Sequence, residues 1–583
     1  MRPFVLLLMM VCLIVPTIEA QHITHGPVWG AVTDSSGKVY LRTSEPASFT
    51  LEISEDSNFS DVLTYSGTTR GSSDTSSILE LKGLKADTRY FYRIYLDNEL
   101  ALERSRFSTF PSVGEAGNHV ITFGSCHGVN DSIQDSLYLT MADYDPDIFL
   151  QIGDWQYPDR GFSTADTQFY STDMANVVSA YRERYSRGPF LPDVLKSLPV
   201  GYMYDDHDFT GNEAGRNSVP YKDFGGDSVT LSRIPYPSDQ TRNNVIEAYQ
   251  DYFPHYPLQD TDEGIYHKFR LGNAVFFMLD IRSNRSDNLD AFEKDPETGE
   301  WSFNPSEDRT ILGQKQLNWL LEELTQTEAM WKFLVTPVIF NQSHQDLLSS
   351  FLNVAQIVQG DEALSSAAIL ADKWAGFPKD QDTILQVIEE QDISNVIALS
   401  GDAHTAAIDD GSNAGVPEIL SGNLAQRNSR MVAKIDSYYV EPVWNQGGQG
   451  LDNNNFNSTF GKVEIFGNDS VRLSIHDRHD QVIARHTVED TTAKKDDDPV
   501  MMDETEKVMG LETYPNPANE RLNLEMPEKW KTTSIKLYDI NGQLVRTFDP
   551  GKRILNIRNL PAGYYILFVE TEKALAFQKV KLD

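Results

Sequence analysis

The chain contains few cysteines, few positive charges and few long apolar runs. Two cysteines occur in 583 residues, and one of them, Cys12, lies within the first twenty. A disulfide framework is excluded, because the one thiol that remains, Cys126, cannot pair within the chain. On composition alone, Cys126 is most simply a small buried apolar residue. Any other role for it depends on the residues around it.

Positive charge is scarce along the whole chain. Lysine and arginine number 50 against 86 aspartates and glutamates, which gives a formal net charge of -36. Removing the first twenty residues takes away Arg2 and Glu19 and leaves this charge unchanged. Such a surface repels nucleic-acid backbones and anionic lipids. We therefore expect no stable nucleic-acid binding, and an anionic substrate would need a local positive centre.

Only the first twenty residues contain a long apolar run. They read MRPFVLLLMMVCLIVPTIEA, with Arg2 before the run and the small Ala20 at its end. This pattern predicts a secretory signal peptide over residues 1–20, so that the mature chain begins at Gln21. A retained N-terminal anchor is the alternative, which Glu19 and the polar residues beyond it disfavour. No later stretch approaches the roughly eighteen apolar residues of a membrane-spanning helix, so no transmembrane segment is expected in the mature chain.

Residues 21–111 have the pattern of a small antiparallel β-sandwich. Short alternating runs such as KVYLRTS, SFTLEIS and RYFYRIYLD are separated by Ser, Gly and Asp clusters. The stretch LKGLKADTRYFYRIYLD resembles the tyrosine-corner strand of fibronectin type III domains, with Tyr90 or Tyr92 as the corner residue. We interpret this region as a fibronectin III-like module appended in front of the next domain.

Residues 112–489 have the pattern of an α/β domain, with apolar strand-like runs separated by long helical or irregular stretches. The runs are HVITFGSC, DIFLQIGD, LPVGYMYDDHD, AVFFMLDIR, WKFLVTPVIF and NVIALSGDAH. Most of them end abruptly in Cys, Asp, His or Arg. The carboxyl ends of strands are where the active sites of open α/β sheets collect. A single such ending is ordinary turn chemistry, whereas four or five together predict a functional site.

These strand ends contain residues that bind metal ions. GDWQY supplies Asp154 and Tyr157, SGDAH supplies Asp402 and His404 on alternate positions, and Cys126 would add a thiolate. The run YDDHD places four charged or titratable residues in succession, which cannot all face a core because burying unpaired charge is very costly. Each motif alone is weak, and together they predict a metal centre.

The motifs FGSC, GDWQY, DDHD, LDIRSNR, DKWAGFP and SGDAH, in this order, resemble those of the PhoD-like alkaline phosphatases and phosphodiesterases. These are relatives of the purple acid phosphatases within the metallophosphoesterases, and the resemblance covers about residues 25 to 480. It implies a core of two packed mixed sheets flanked by helices.

The resemblance also implies roles for individual residues. Four residues would surround Fe3+, and Asp154 would bridge to a second ion: Cys126, Asp154, Tyr157 and His404. Asp206 and Asp402 replace the asparagine and histidine of many metallophosphoesterases, so the second site is rich in oxygen and suits Ca2+, with Asn212 as a further ligand. His207 would be a phosphate binder or general acid, and Arg282 or Arg285 would reach phosphoryl oxygens. Asp208, where relatives often have glutamate, and TPVIFNQ, where they carry histidine, depart from the family pattern.

The resemblance thus predicts a secreted metal-dependent phosphoesterase of the alkaline phosphatase type. It would hydrolyse small-molecule or lipid phosphate monoesters, and diesters as well, by attack of a metal-bound hydroxide at phosphorus. The two cations and an arginine would be the local positive centre that the acidic surface requires. Two alternatives stay open: a phosphodiesterase or phospholipase D-like esterase on the same scaffold, and a non-catalytic surface adhesin whose sandwich modules carry the function.

The C-terminal residues form a separate unit. Residues 490–510 are highly charged and poor in large apolar side chains, which predicts an acidic linker. Residues 511–583 return to strand patterning, and their motifs YPNPA and LPAGYYILFVE resemble the C-terminal sorting domain of type IX secretion cargo. This resemblance implies a small β-sandwich read by the type IX secretion machinery, with export through the periplasm and outer membrane to the surface or the medium. The alternative is an ordinary small β-sandwich that binds another molecule.

Overall fold

The structure is a computed structural model of the chain. It describes residues 20–128, 136–161, 169–217, 237–306, 308–359, 363–426, 444–447, 458–490, 492, 512–514, 518–525, 531–539, 544–571 and 575–582. Nearly all of the predicted signal peptide and of the predicted linker lies outside these residues. Among the described residues, no helix is long and apolar enough to cross a membrane.

Seven strands form the N-terminal region: β1 (Ile23–Gly30), β2 (Ser36–Thr43), β3 (Ser48–Ser54), β4 (Leu63–Thr68), β5 (Ser76–Lys82), β6 (Arg89–Leu96) and β7 (Glu99–Ser108). One sheet has the order β4-β3-β6-β7, and β1, β2 and β5 form a second layer. The layers share one apolar cluster, in which Trp29 stacks on Phe107 with ring centroids 3.7 Å apart. The Tyr90 hydroxyl accepts a hydrogen bond from the Lys85 N–H at 2.9 Å, the geometry of a tyrosine corner. Tyr92 donates instead to the Lys196 carbonyl.

The described part of residues 118–489 contains fifteen further strands: β8 (Asn118–Gly124), β9 (Ile148–Ile152), β10 (Val200–Met203), β11 (His267–Leu271), β12 (Ala274–Met278), β13 (Phe292–Lys294), β14 (Trp301–Phe303), β15 (Trp331–Val335), β16 (Val396–Ser400), β17 (Ala406–Asp409), β18 (Glu418–Ser421), β19 (Gln446–Gly447), β20 (Thr459–Phe466), β21 (Ser470–Asp477) and β22 (Val482–Glu489). The helices of this region are α1 (Leu137–Ala142), α2 (Met174–Ser186), α3 (Leu191–Leu195), α4 (Asp206–Phe209), α5 (Asp239–Tyr252), α6 (Gln314–Gln326), α7 (His344–Gln359), α8 (Ala363–Leu370) and α9 (Pro378–Glu390). Each of the six apolar runs singled out in the sequence contains one of these strands.

Two mixed sheets form the core of the molecule. The larger has the order β22-β21-β20-β8-β9-β10-β1-β2-β5, and the smaller has the order β11-β12-β15-β16-β18-β17-β19. Strands β8, β9 and β10 run parallel, as do β12, β15 and β16. Both sheets contribute to one apolar cluster. The predicted pair of packed mixed sheets is therefore confirmed.

Side-chain alternation along β12 shows how the layers are arranged. Phe276 and Met278 point into the cluster between the two sheets, whereas Val275 and Phe277 belong to a second cluster with Leu320 of α6. Successive residues of a strand face opposite sides, so a strand that is apolar throughout is buried on both faces. Helices α6 and α9 therefore cover the outer face of the smaller sheet, as the sequence pattern predicts.

The N-terminal region is continuous with the larger core sheet. β1 pairs in parallel with β10 at Gly30 and Val200, and a Cβ atom on Gly30 would lie 2.3 Å from the Pro254 carbonyl oxygen. The Lys38 ammonium donates to the His255 carbonyl at 2.8 Å. The expectation of a merely appended module is wrong in this respect, because three of its strands extend the sheet that carries half of the candidate site.

Seven strands occur in the residues of the C-terminal tail that the structure describes: β23 (Glu512–Tyr514), β24 (Arg521–Glu525), β25 (Thr532–Asp539), β26 (Leu544–Phe548), β27 (Ile554–Asn556), β28 (Gly563–Thr571) and β29 (Leu575–Leu582). They form a three-stranded sheet, β23-β24-β27, and a four-stranded sheet, β26-β25-β28-β29. Leu522 and Leu555 from the first sheet share one apolar cluster with Ile535 and Leu567 from the second. The tail thus has a hydrophobic core of its own.

Candidate metal centre

The predicted ligands follow the carboxyl ends of strands in both core sheets. Cys126 comes after β8, Asp154 after β9 and Asp206 after β10, all in the larger sheet, whereas Asp402 and His404 come after β16 in the smaller one. These residues are far apart in the sequence. They come together because the two sheets pack face to face, with the carboxyl ends of their strands side by side.

Among the described residues, three clusters of possible ligand atoms result, each with all of its atoms within 4.8 Å of one another. The thiol cluster contains Cys126, Asp154 and His404, and the middle cluster contains Asp154, Asp206 and His207. The carboxylate cluster contains Asp205, Asp206 and Asp402. Asp154 and Asp206 each belong to two clusters, so the three are contiguous and a shared carboxylate could bridge neighbouring ions.

Four of the clustered residues have left-handed backbone conformations. The φ angles of Cys126, Asp154, Asp402 and His404 are 64°, 52°, 66° and 50°. Such a conformation costs a residue with a side chain roughly 1–3 kcal/mol and is concentrated at functional sites. These sharp turns direct side chains from the strand ends into the shared space.

Tyr157 joins the thiol cluster through its hydroxyl group. This oxygen lies 3.1 Å from His404 Nε2, and the Cys126 sulfur lies 3.7 Å from an Asp154 oxygen. Burial, reinforced by Asp154 and Asp402, raises the pKa of the Cys126 thiol well above its ordinary value. Burial, with the nearby His207, lowers the pKa of His404 to about 3. The imidazole is therefore neutral, the form that binds metals.

The donor atoms fit bound cations. Asp154 Oδ1 and Asp205 Oδ2 are buried and accept no hydrogen bond from the described residues. Burial first, and neighbouring carboxylates with it, raise the pKa values of Asp154 and Asp205 well above their ordinary range. Crowded buried carboxylates of this kind are stable only when a positive charge compensates them. Sulfur, phenol and imidazole donors suit a transition metal, and the carboxylate cluster suits a hard divalent cation.

Residues 205 to 208 are more buried than the sequence suggested. Asp205, Asp206 and Asp208 are each about 1% exposed, and only His207 is half-buried. Their burial is tolerated because each has partners: Asp208 accepts from the Arg184 guanidinium at 2.9 Å, and Asp206 accepts from the N–H of His207. Asn212, the predicted further ligand, lies half-buried in the turn after α4.

His207 faces both a carboxylate and the Tyr157 ring. Its Nδ1 lies 2.9 Å from Asp159 Oδ2, and its ring centroid lies 4.2 Å from that of Tyr157. Burial acts to lower the pKa of His207, but Asp159, Asp206 and Asp154 raise it well above the ordinary value. The exposed Arg160 guanidinium lies 4.1 Å from the centre of the same Tyr157 ring.

The predicted contact of Arg282 or Arg285 with substrate needs correction. Both side chains are fully buried, and both pair with Asp372, at 2.7 Å and 3.0 Å. Arg282 also donates through Nε to Asp205 of the carboxylate cluster. Both guanidinium groups are paired with protein carboxylates, so we infer that they stabilise the carboxylate cluster. Sequence reasoning also gave no role to Asp159 or to Lys373, although the latter lies within the quoted motif DKWAGFP.

Residues 121–475, more than half of the chain, match the family model described as PhoD-like phosphatase. The chain belongs to the PhoD-like phosphatase family. Residues 15–111 match the N-terminal domain of PhoD-like phosphatases, and residues 512–582 match the secretion system C-terminal sorting domain. The sorting domain confirms that this PhoD-like phosphatase is exported, to the cell surface or the medium.

The chain is also similar to individual proteins. Alkaline phosphatase D of Bacillus subtilis (strain 168) is 26% identical over 344 residues, which cover 56% of this chain and 53% of the relative. The chain thus matches about half the length of that curated relative. A solved structure of PhoD superimposes with a TM-score of 0.59 at 18% identity, over 80% of this chain and 92% of the other, and so supports the fold. A purple acid phosphatase from yellow lupin (Lupinus luteus) seeds gives a TM-score of 0.49 at 11% identity, over 79% of this chain and 74% of the other.

Proposed function

We propose that this PhoD-like phosphatase is a secreted, metal-dependent phosphoesterase that hydrolyses phosphate monoesters and also diesters. The observation that carries the proposal is the set of three contiguous ligand clusters that share Asp154 and Asp206. Membership of the family and the likeness to alkaline phosphatase D support it.

The resemblance to the family implies the proposed ligand sets, and the donor atoms present suit them. Cys126, Asp154, Tyr157 and His404 would hold Fe3+, and Asp206, Asp402 and Asn212 would hold Ca2+, with Asp154 shared between the ions. When bound there, the two cations would supply Lewis-acid activation of water and neutralise charge on the phosphoryl oxygens. Together they form the positive centre that an acidic protein needs to attract a phosphate ester.

His207 is the residue proposed to handle the leaving group. The Asp159 carboxylate fixes the Nδ1 proton, so that Nε2 is the atom left to donate to an ester oxygen or to bind the phosphoryl group. Asp159 lies outside the proposed ligand sets, so it would remain the partner of His207 when Asp154 and Asp206 hold cations. Arg282 would act only indirectly, by holding Asp205.

The partners and boundaries are part of the same proposal. The substrate would be a small-molecule or lipid phosphate ester, and the strongly acidic surface disfavours stable binding of nucleic acid. The proposed domains are a fibronectin III-like region at 21–111, a catalytic region at 112–489 and a sorting region at 511–583, separated from the catalytic region by the linker at 490–510.

The proposal is tested by comparing purified full-length protein on para-nitrophenyl phosphate and on its bis-ester, after loading with iron and calcium. We expect turnover of the monoester to exceed that of the bis-ester, and both to be lost in Asp154→Ala. Asp143→Ala, which changes an aspartate outside the clusters, is the matched control and should keep full activity. Faster turnover of the bis-ester would instead identify a phosphodiesterase, and no turnover of either ester would contradict the proposal.

A further inference from the structure

Lys373 lies directly against the carboxylate cluster. Only 7% of its side chain is exposed, and its ammonium nitrogen forms a short ion pair with Asp402. The same nitrogen lies 3.2 Å from Asp372 Oδ2 and 3.5 Å from Glu213 Oε2. An ammonium group has three donors and no acceptor, so these three carboxylates match its full capacity.

The residues next to this ammonium group are themselves held in place. Asp372 is held by the guanidinium groups of Arg282 and Arg285, and the turn that carries Lys373 passes directly into the buried Trp374. The Lys373 ammonium group thus contacts three carboxylates and lies beside oxygen atoms that the proposed second cation would use.

We propose that Lys373 is a positioning residue that sets the divalent-cation affinity of the carboxylate cluster. This inference rests on the proposed function, in which the cluster holds Ca2+. The ammonium group orients Asp402, and its charge opposes a cation bound to the same carboxylate. The calcium affinity of the cluster is consequently lower than its carboxylates alone would give.

Electrostatics decides the direction of the expected effect. Removing the ammonium group would release oxygen atoms of Asp402 and Glu213 for a cation and would remove a repelling charge beside the carboxylate cluster. The loss of orientation acts in the opposite sense, but Asp205 and Asp206 retain their own partners and keep the cluster in place. Lys373→Met should therefore bind calcium more tightly, by about tenfold or more.

The test is calorimetric titration of calcium into metal-stripped full-length protein. Lys373→Met is compared with Lys373→Arg, which keeps the charge and should stay near wild type. Lys332→Met is the matched control, because Lys332 is also buried but lies near the start of β15, away from the strand ends that carry the candidate site. Its ammonium group donates to the Ser394 carbonyl. Lys373→Gln, which keeps a donor but no charge, is the substitute if thermal melting shows that the methionine variant is unfolded.

The possible outcomes separate this inference from the proposed function. Tighter calcium binding by the neutral variants alone supports the role of Lys373. Equal or weaker binding by a folded neutral variant overturns that role while the calcium site itself stands. No calcium uptake by wild type or by any variant overturns the proposed calcium site, and the inference with it.

Discussion

The Tyr157 hydroxyl oxygen lies 3.1 Å from His404 Nε2, although 247 residues separate the two side chains in the sequence. Tyr157 follows a strand of the larger sheet and His404 a strand of the smaller one. The thiol cluster therefore exists only when both sheets are packed together. Correct packing of the two sheets and assembly of the candidate metal centre are thus the same event.

Cys126→Ser should separate the thiol's chemistry from its packing. One buried sulfur contributes little to packing, so the variant should fold nearly normally, whereas its iron content and turnover should fall at least about tenfold. Thermal melting, elemental analysis and ester turnover measure the three quantities. A serine variant with full iron and full activity would show that the thiol is merely a core residue.

Asp206→Ala and His207→Gln should behave differently although the residues are adjacent. Asp206 belongs to two clusters, so its loss should weaken the second cation site, and added calcium should partly restore the rate. His207→Gln should keep both metals and lower turnover roughly 100- to 10,000-fold, with a smaller deficit for esters that have good leaving groups. Metal analysis and turnover with and without calcium check this. Equal metal loss and equal calcium rescue would refute the division of roles.

Removal of the tail should affect location and leave catalysis intact. Truncation after Gly510 removes strands that have a core of their own, so the purified remainder should keep its phosphoesterase activity. Cell fractionation should find that the truncated protein is no longer exported to the surface. A loss of activity in the purified protein would mean that the tail supports the catalytic region.

Stability should depend on pH through Glu418. This fully buried carboxyl accepts from the Phe340 N–H, and burial raises its pKa to about 8 from 4.5. The folded state therefore keeps a proton that the unfolded state loses in this range, so stability should fall as the pH rises from about 5 to 8 and level off above.

Glu418→Gln should remove that part of the pH dependence, which amounts to at most about 1.4 kcal/mol per pH unit. Urea unfolding of both proteins between pH 5 and 9 measures the difference. Glu300→Gln, at an exposed glutamate, is the control and should follow wild type. Parallel curves for Glu418→Gln and wild type would mean that Glu418 titrates normally.

Local signals in the sequence were sufficient to predict the strands and the residues that follow them. The six apolar runs end at the sheet edges because an apolar stretch bounded by turn residues favours a buried strand. The continuity of β1 with β10 was not predictable, since a single residue pair, Gly30 and Val200, makes the connection.

The candidate site, too, was predictable from the sequence in part. Cys126, Asp154 and His404 could be selected because each follows a strand and can bind a metal. The environments of Arg282 and Arg285 could not be predicted, because their pairing with Asp372 depends on a turn 87 to 90 residues away in the sequence. A charged side chain predicts the need for a partner, and only the folded structure identifies it.

The central claim is that Cys126, Asp154, Tyr157 and His404 hold ferric iron in an active phosphoesterase. Elemental analysis of the purified protein together with its visible absorption spectrum tests this most directly. We predict one iron atom per chain and a visible charge-transfer band from the Tyr157 phenolate, which Tyr157→Phe should abolish. A colourless, iron-free protein that hydrolyses phosphate esters at full rate would contradict the account.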